Sequence, residues 1–417
     1  MAVVTRSAPV RASPSTRPNQ AVVNLEAVRF NTRAVLRSVG PAAVLAAVKA
    51  DAYGHGAFEV ARAAMAAGAI GAATGDLETA LRLRQGGLGG MILVFPGPVF
   101  NVADLRAAAR ADVTLTAHDV ATASYWSKSC PAPLEVFIKI SLGLERLGVY
   151  PEEAPSVVQE IRASTCLTLT GVLGHLHAPT DASTEYVQWQ LDRFALALDS
   201  LAASGPFPAH RIVAASAALR RAAALRFDKR LTAVDPGSIL LGSAPPEHGM
   251  LSQVKSALER ISSQLVQVGR VSRASYEDEG PFPTRPGMRV GILPIGRADG
   301  LPSIGAGHVL VGGRSARILR IWTEHTAIDL TDLPSAEPGQ EAVLFGAQGG
   351  STITVGDVAA VNPGSSSTVD IGINLRDSVP RSYKGTSDYG APAEGSDRDQ
   401  AGQRPETATH ATNKARG

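Results

Sequence analysis

Short apolar runs alternate with amphipathic segments from Leu25 to about Leu251. Eight runs have the length of buried strands, and they are Val44–Lys49, Ile70–Thr74, Met91–Phe95, Val113–Thr116, Leu134–Ile140, Leu167–His175, Arg211–Ser216 and Leu231–Val234. Between most of them apolar residues recur at helical spacing, which predicts helices at Phe58–Ala69, Leu77–Gln85, Pro151–Ala163, Glu185–Ala203 and Ala217–Leu225. A further helix is predicted after Asn24, whose side chain is suited to cap it.

This alternation predicts an α/β fold whose N-terminal part is a (β/α)8 TIM barrel, since eight strand–helix units typically occupy roughly 250 residues. A doubly wound open sheet is the alternative, but no glycine-rich dinucleotide fingerprint follows the first strand. In a barrel, active-site residues lie at the carboxyl ends of the strands. Lys49, His175, Ser216 and Asp235 all fall at such ends.

The pattern changes after Leu251. Short strand-like runs, separated by glycine and proline, are predicted at Leu265–Val271, Val290–Ile295, Val309–Val311, Ala316–Ile321 and Ala342–Phe345. They indicate a separate, mostly β domain. Both termini have the composition of disordered segments, so the predicted organisation is 1–20 disordered, 21–252 barrel, 253–383 β domain and 384–417 disordered.

The bulk composition excludes several classes of protein. A net charge of +2 gives no strong field for nucleic acid or anionic lipid, and no run of apolar residues is long enough to span a membrane. Two cysteines, Cys130 and Cys166, make neither a disulfide framework nor a four-cysteine metal site, and no metal is expected. Because the N-terminus lacks the apolar core of a signal peptide, the expected location is the cytoplasm.

Lys49 stands at the end of a buried apolar run, where an ammonium loses hydration. Burial lowers the pKa of a lysine and makes its amine available for Schiff-base chemistry. From position alone, a lysine that simply reaches the surface at the strand end is an equally good interpretation.

The stretch VKADAYGHG, residues 48–56, resembles the pyridoxal-phosphate lysine motif of the alanine racemase family. The resemblance covers Val22 to Tyr383 and implies that Lys49 carries pyridoxal 5'-phosphate while Tyr53 contacts its phosphate. It also implies a barrel followed by a β domain, in a homodimer that combines each barrel with the β domain of the partner.

Further motifs follow in the family's order. The segment IKISLGLERLG is similar to one in which a lysine, often carbamylated, orients an arginine near the substrate carboxylate; these are Lys139 and Arg146 here. His175, in GVLGHLHAPTD, matches a histidine that packs on the pyridine ring.

Three more positions match residues that hold the cofactor phosphate. Ser216, in VAASAAL, matches a phosphate-binding serine. Gly237 and Ser238 match positions whose backbone N–H groups bind the same phosphate, and a glycine allows such a close approach.

Asp235, in AVDPGSILLG, is the largest departure from the family pattern, which has an arginine at this position donating to the pyridine nitrogen. Both Asp and Arg occur as partners of that nitrogen. A carboxylate favours protonation of the nitrogen, whereas an arginine disfavours it. A protonated ring stabilises a carbanion better, which helps racemisation and also opens decarboxylation, transamination and β-elimination.

Two predicted residues lie in the β domain. Tyr276, in ASYED, aligns with the tyrosine that is the family's second catalytic base, if a two-residue insertion is allowed. Arg297, in PIGRADGL, replaces a tyrosine at the substrate entrance and favours an acidic substrate or an extra carboxylate.

The leading hypothesis is a pyridoxal-phosphate-dependent amino-acid racemase, because two opposed bases, Lys49 and Tyr276, are what inversion at Cα needs. Two alternatives remain open from the sequence. One is a lyase or decarboxylase on the same scaffold, which the altered nitrogen partner and entrance residue suggest. The other is a non-catalytic cofactor-binding homologue, against which the retained Lys49 argues.

Overall fold

The structure is a computed structural model of the 417-residue chain. It describes residues 17–97, 100–177, 182–214, 216–219, 228–243, 250–271, 282, 285–301, 307–362, 364 and 367–386. Tyr276 and the greater part of both predicted disordered tails lie outside the described residues.

Strand β1 (Gln20–Asn24) opens the regular structure, and helix α1 (Leu25–Val39) follows it directly. The side chain of Asn24 accepts hydrogen bonds from the backbone N–H groups of Glu26 and Ala27, at 3.0 and 3.2 Å. These bonds satisfy two of the free donors of the first helical turn, as predicted for a cap at Asn24.

Eight parallel strands then close into a barrel in chain order. They are β2 (Ala43–Ala47), β3 (Gly71–Thr74), β4 (Met91–Val94), β5 (Thr114–Ala117), β6 (Leu134–Lys139), β7 (Leu167–His175), β8 (His210–Ala214) and β9 (Ala233–Val234). Strand β9 pairs with both β8 and β2, which closes the barrel. The predicted barrel is therefore confirmed, and the open sheet is excluded.

A left-handed helical turn, α2 (Lys49–Gly54), follows β2 where the sequence predicted continued strand up to Lys49. Its four residues Ala50 to Tyr53 have φ between 51° and 53° and ψ between 41° and 50°. For residues other than glycine this conformation costs roughly 1–2 kcal/mol each. The backbone N–H of Ala57 donates to Oδ1 of Asp51 at 2.7 Å, so the turn also caps the next helix.

Helices connect the remaining strands of the barrel. They are α3 (Ala57–Ala66), α4 (Leu77–Gln85), α5 (Val102–Arg110), α6 (Val120–Ser129), α7 (Ala154–Ala163), α8 (Thr184–Ala203) and α9 (Ser216–Leu219). The predicted helix from Leu77 to Gln85 has the observed bounds, and α7 begins three residues after the predicted Pro151. Within the described residues, no helix has the length and apolar content that crossing a membrane requires.

A second sheet follows the barrel. Its strands are β10 (Leu258–Gln264), β11 (Gln267–Arg270), β12 (Arg289–Leu293), β13 (His308–Val311), β14 (Arg314–Ile321), β15 (Thr326–Asp329), β16 (Glu341–Gln348), β17 (Ser351–Ile353) and β18 (Arg381–Lys384). Two short helices, α10 (Val355–Val361) and α11 (Thr368–Asn374), precede β18. The mostly β character predicted after Leu251 is confirmed, although the predicted strand Leu265–Val271 is shortened to β11, and β10, which ends just before it, was not predicted.

Strand β1 belongs to this second sheet, although it precedes the barrel in the chain. It pairs antiparallel with β10 and parallel with β18. The backbone N–H of Ala21 donates to the carbonyl of Pro380 at 2.9 Å, and that of Asn24 donates to the carbonyl of Ala257 at 2.7 Å. The chain thus leaves the sheet after β1, forms the barrel and returns; the predicted division at residue 252 stays a prediction.

Candidate active site

The candidate site is the layer of side chains directly above the barrel core. Inward-pointing residues of seven strands form one buried cluster: Leu45, Ala73, Leu93, Phe137, Leu173, Ile212 and Ala233. Because side chains alternate along a strand, the residue two positions later points inward again. Lys139, His175 and Asp235 therefore lie one layer above Phe137, Leu173 and Ala233, at the carboxyl ends of their strands.

A cavity of about 610 Å³ opens at this end of the barrel, and a smaller one of about 490 Å³ lies in the second sheet. Nine residues singled out from the sequence line the larger cavity: Lys49, Tyr53, Lys139, Arg146, His175, Ser216, Asp235, Gly237 and Ser238. Its volume lies within the roughly 300–1,000 Å³ typical of small-molecule sites. The fold thus brings together residues that are up to 189 positions apart in the chain.

Lys49 is half-buried at the end of β2, on the first residue of the left-handed turn. Burial lowers the pKa of its amine, the nearby Asp235 acts in the opposite direction, and Arg146 adds to the lowering. Its Nζ lies 5.9 Å from the ring centroid of Tyr53. Burial and a lowered pKa both increase the fraction of neutral, nucleophilic amine.

Ser216, Gly237 and the hydroxyl of Tyr53 form a polar cradle beside Lys49. The backbone N–H groups of Gly237 and Ile239 both donate to Oγ of Ser216, at 3.1 and 3.3 Å. A Cβ on Gly237 would lie 2.5 Å from the Tyr53 hydroxyl oxygen, so only glycine fits here. Burial, with a smaller effect of Asp235, raises the pKa of Tyr53 to about 12, which keeps its hydroxyl protonated as a donor at neutral pH.

Asp235 and Lys139 are the most deeply buried ionisable groups of the cavity, with 5% and 7% of their surfaces exposed. Oδ1 of Asp235 and Nζ of Lys139 have no hydrogen-bond partner among the described residues. Burial raises the pKa of Asp235 to about 7, against the opposing charges of Lys139 and Lys49. Burial likewise lowers the pKa of Lys139 to about 7, against the pull of Asp235. Buried polar atoms without partners call for an explanation, such as a bound group that completes their hydrogen bonds.

His175 and Arg146 also line the cavity. Burial lowers the pKa of His175 to about 3, helped by the charges of Lys139, Lys49 and Arg146, so its ring is neutral at neutral pH. Arg146 is exposed and lines the mouth of the cavity. A guanidinium at that place is free to bind a carboxylate that enters from solvent.

Of the two predicted residues of the β domain, the described one, Arg297, is not among the residues that line this cavity. Arg297 lies exposed in a short 3-10 helix, Arg297–Asp299, where its Nη2 donates to Oγ1 of Thr323 at 3.5 Å. Tyr276 lies outside the described residues. All described residues that line the cavity come from 47–238.

Several lining residues were not anticipated from the sequence. Gly75, Phe95 and Leu176 line the cavity, and each directly follows the last residue of a barrel strand. Their positions at the carboxyl ends of strands could have identified them, but their side chains have no ionisable or nucleophilic group that would mark them as candidates. His177 also lines the cavity, and its Nδ1 lies 3.3 Å from the hydroxyl of Tyr186.

The smaller cavity, about 490 Å³, lies in the second sheet and is lined mostly by apolar residues. Its described lining contains neither lysine nor arginine, so the described part of it offers no amine for a covalent cofactor. Within the described residues no group of three His, Cys, Asp or Glu side chains is arranged for a metal ion. The chemistry is therefore assigned to the barrel cavity.

Comparison with known proteins agrees with this arrangement. Residues 23–245 match the family model for the alanine racemase N-terminal domain, and residues 258–383 match the model for its C-terminal domain. Alanine racemase from Laribacter hongkongensis is 34% identical over 357 residues, which cover 82% of this chain and 93% of that relative. Alanine racemase from Symbiobacterium thermophilum is 31% identical over 382 residues, covering 88% and 98%.

Solved structures give the same result. The crystal structure of alanine racemase from Bacillus anthracis with bound L-Ala-P matches with a TM-score of 0.77 and 26% identity, over 89% of this chain and 96% of that one. Two family models that together span both sheets, and relatives above 30% identity over most of their length, leave one conclusion. The chain belongs to the alanine racemase family.

Proposed function

We propose that this protein is a pyridoxal-phosphate-dependent amino-acid racemase that interconverts the L and D forms of alanine. Family membership supports the reaction class, and the names of the relatives support alanine as substrate. The observation that carries the proposal is the half-buried amine of Lys49, with its lowered pKa, beside the polar cradle of Ser216 and Gly237. No relative cited here is named as a lyase, a decarboxylase or a non-catalytic protein.

The residues present fit the cofactor. Lys49 supplies the amine for covalent attachment, and the orphaned buried atoms of Asp235 and Lys139 require polar partners. The N–H group of Ser238 and the hydroxyls of Ser216 and Tyr53 are donors suited to a phosphate, and the N–H of Gly237, which donates to Oγ of Ser216, orients that hydroxyl. When bound, pyridoxal phosphate withdraws electrons from the substrate Cα and so acidifies its proton.

The side chains of the protein supply binding and proton transfer. Lys49, on one side of the cavity, would remove the Cα proton from one enantiomer and, in the reverse direction, deliver a proton to that same face through its amine. Tyr276 is assigned to the opposite face through its match to the family motif. Arg146, at the mouth, holds the substrate carboxylate.

The active unit in this proposal is a homodimer with shared sites. The described lining of the cavity comes entirely from the barrel, whereas Tyr276 and Arg297 belong to the β domain. A second copy of the chain is the natural source of those side chains, because a symmetric dimer places the same two surfaces together twice.

The test is chiral analysis of products after incubation of the purified holoenzyme with L-alanine and with D-alanine. We expect each enantiomer to appear from the other, and borohydride reduction to fix the cofactor on the peptide that contains Lys49. Lys49→Ala should abolish both results, whereas Lys128→Ala, an exposed lysine on α6, should change neither. Cofactor mass on any other lysine, or no chiral conversion, would contradict the proposal.

A further inference from the structure

Asp235 is a buried carboxylate that the fold leaves without a partner. It directly follows β9 and points into the barrel above Ala233, with 5% of its surface exposed and no partner for Oδ1 among the described residues. Burying a carboxylate oxygen without a hydrogen bond is costly. A group that enters the cavity and donates a proton to this oxygen would remove that cost.

Most other polar groups of the cavity have roles in the proposed function. Nζ of Lys139 also has no partner among the described residues, but a cation there would repel a protonated atom of the cofactor. The cradle of Ser216 and Gly237 suits a phosphate, Lys49 supplies the attaching amine, and Arg146 lies at the mouth. Among the described lining residues, Asp235 is the only carboxylate. Besides its phosphate and the carbon that Lys49 attaches, pyridoxal phosphate has two polar atoms that can carry a proton, the ring nitrogen and the 3-hydroxyl. The 3-hydroxyl and the phosphate arm lie on opposite sides of the ring, and Asp235 is only two residues from Gly237 of the phosphate cradle, which favours the ring nitrogen as its partner.

We propose that Asp235 binds the ring nitrogen of the cofactor and keeps it protonated. The assignment rests on the proposed function, since it requires pyridoxal phosphate in this cavity. It gives the chain a negative group where the resembled motif has an arginine, so the protonation state of the ring is reversed. Asp235 then increases the electron withdrawal that the ring exerts on the substrate.

The charges around Asp235 are consistent with this role. Lys139 and Lys49 face it and favour its ionised form, against burial, which raises the pKa of Asp235 to about 7. His175, on the neighbouring side of the cavity, is neutral at neutral pH because burial lowers its pKa to about 3. A protonated nitrogen beside Asp235 adds one more positive charge and favours the carboxylate further.

The first experiment reads the ring nitrogen directly. Holoenzyme reconstituted with 15N-labelled pyridoxal phosphate is examined by solid-state NMR at neutral pH, where a protonated and an unprotonated ring nitrogen have well-separated shifts. We expect the protonated form in the parent protein and the unprotonated form in Asp235→Asn. Asp377→Asn, the same substitution at an exposed carboxylate that does not line the cavity, is the control and should leave the nitrogen protonated. An unprotonated nitrogen in the parent, or a protonated one in Asp235→Asn, would overturn the proposal.

The second experiment needs no variant and so does not depend on folding of Asp235→Asn. Binding of pyridoxal phosphate to the apoenzyme is compared with binding of its deaza analogue, which has carbon in place of the ring nitrogen. A charge-assisted hydrogen bond predicts that the analogue binds about tenfold more weakly or worse. Equal affinity would contradict the assignment.

The two proposals fail in different ways. If the cofactor does not attach to Lys49, the proposed function is wrong and the assignment of Asp235 fails with it. If the cofactor attaches and alanine is racemised while the ring nitrogen is unprotonated, only the assignment of Asp235 is wrong.

Discussion

At the scale of single residues, Gly237 makes the sharpest prediction. A Cβ at this position would lie 2.5 Å from the hydroxyl oxygen of Tyr53 and 3.1 Å from the carbonyl oxygen of Ala47. Gly237→Ala therefore has to displace the hydroxyl or the backbone of the cradle, and overpacking of this kind costs about 1–3 kcal/mol. We expect weaker binding of pyridoxal phosphate, measured by titration of the apoenzyme. The Lys49 attachment itself should survive.

The control is Gly89→Ala, because a Cβ on Gly89 meets no atom within 4 Å. Its cofactor affinity should equal that of the parent. Equal affinities of the parent, Gly237→Ala and Gly89→Ala for pyridoxal phosphate would show that the cradle at Gly237 does not hold the phosphate.

At the scale of elements, the left-handed turn α2 stores strain that can be measured. Ala50 is exposed and has φ of 52°. Glycine adopts this conformation without penalty, so Ala50→Gly should raise the free energy of unfolding by roughly 1 kcal/mol. In the right-handed helix α5, Ala107→Gly should instead lower it by about 1 kcal/mol. Denaturant unfolding of both variants tests the opposite signs.

The prediction for Ala50 would be contradicted if Ala50→Gly and Ala107→Gly lowered the free energy of unfolding equally. That outcome would mean that Ala50 adopts an ordinary right-handed conformation. The predicted contrast is specific to α2, because it depends only on the sign of φ at the two positions.

At the scale of the whole molecule, shared sites predict recovery of activity in mixtures. Lys49→Ala lacks the amine and Tyr276→Phe lacks the second base, so each homodimer should be inactive. A mixed dimer has one site in which both residues are present, and random exchange should restore about a quarter of parental activity. Racemisation is measured after the two variants are unfolded and refolded together.

The matched control mixes Lys49→Ala with Arg146→Ala. Both substitutions lie on the barrel, so no mixed dimer has an intact site, and activity should not return. If exchange is demonstrated and the first mixture also stays inactive, each active site takes Lys49 and Tyr276 from the same chain.

The apolar runs of the sequence were sufficient to predict the barrel and most of its strand ends, because buried parallel strands consist of short, continuous apolar segments. The sequence also predicted candidate site residues: Lys49, Lys139, His175 and Asp235 each end such a run or follow it by a few positions, and all four line the barrel cavity. These are local signals, set by burial and by the alternation of side chains along a strand.

Features that depend on residues far apart in the chain became apparent only from the folded structure. Pairing of β1 with β10 and β18 joins residues more than 200 positions apart, and no local pattern near Gln20 specifies it. The left-handed turn α2 runs against the intrinsic preference of alanine and tyrosine, so contacts of the closed barrel and its neighbours must hold it. The proximity of Lys139 and Asp235 likewise follows from barrel closure, since the two residues end β6 and follow β9. The pKa values of Lys139 and Asp235 are shifted mainly because both side chains are buried in the closed barrel, and the sequence around either residue does not show this burial.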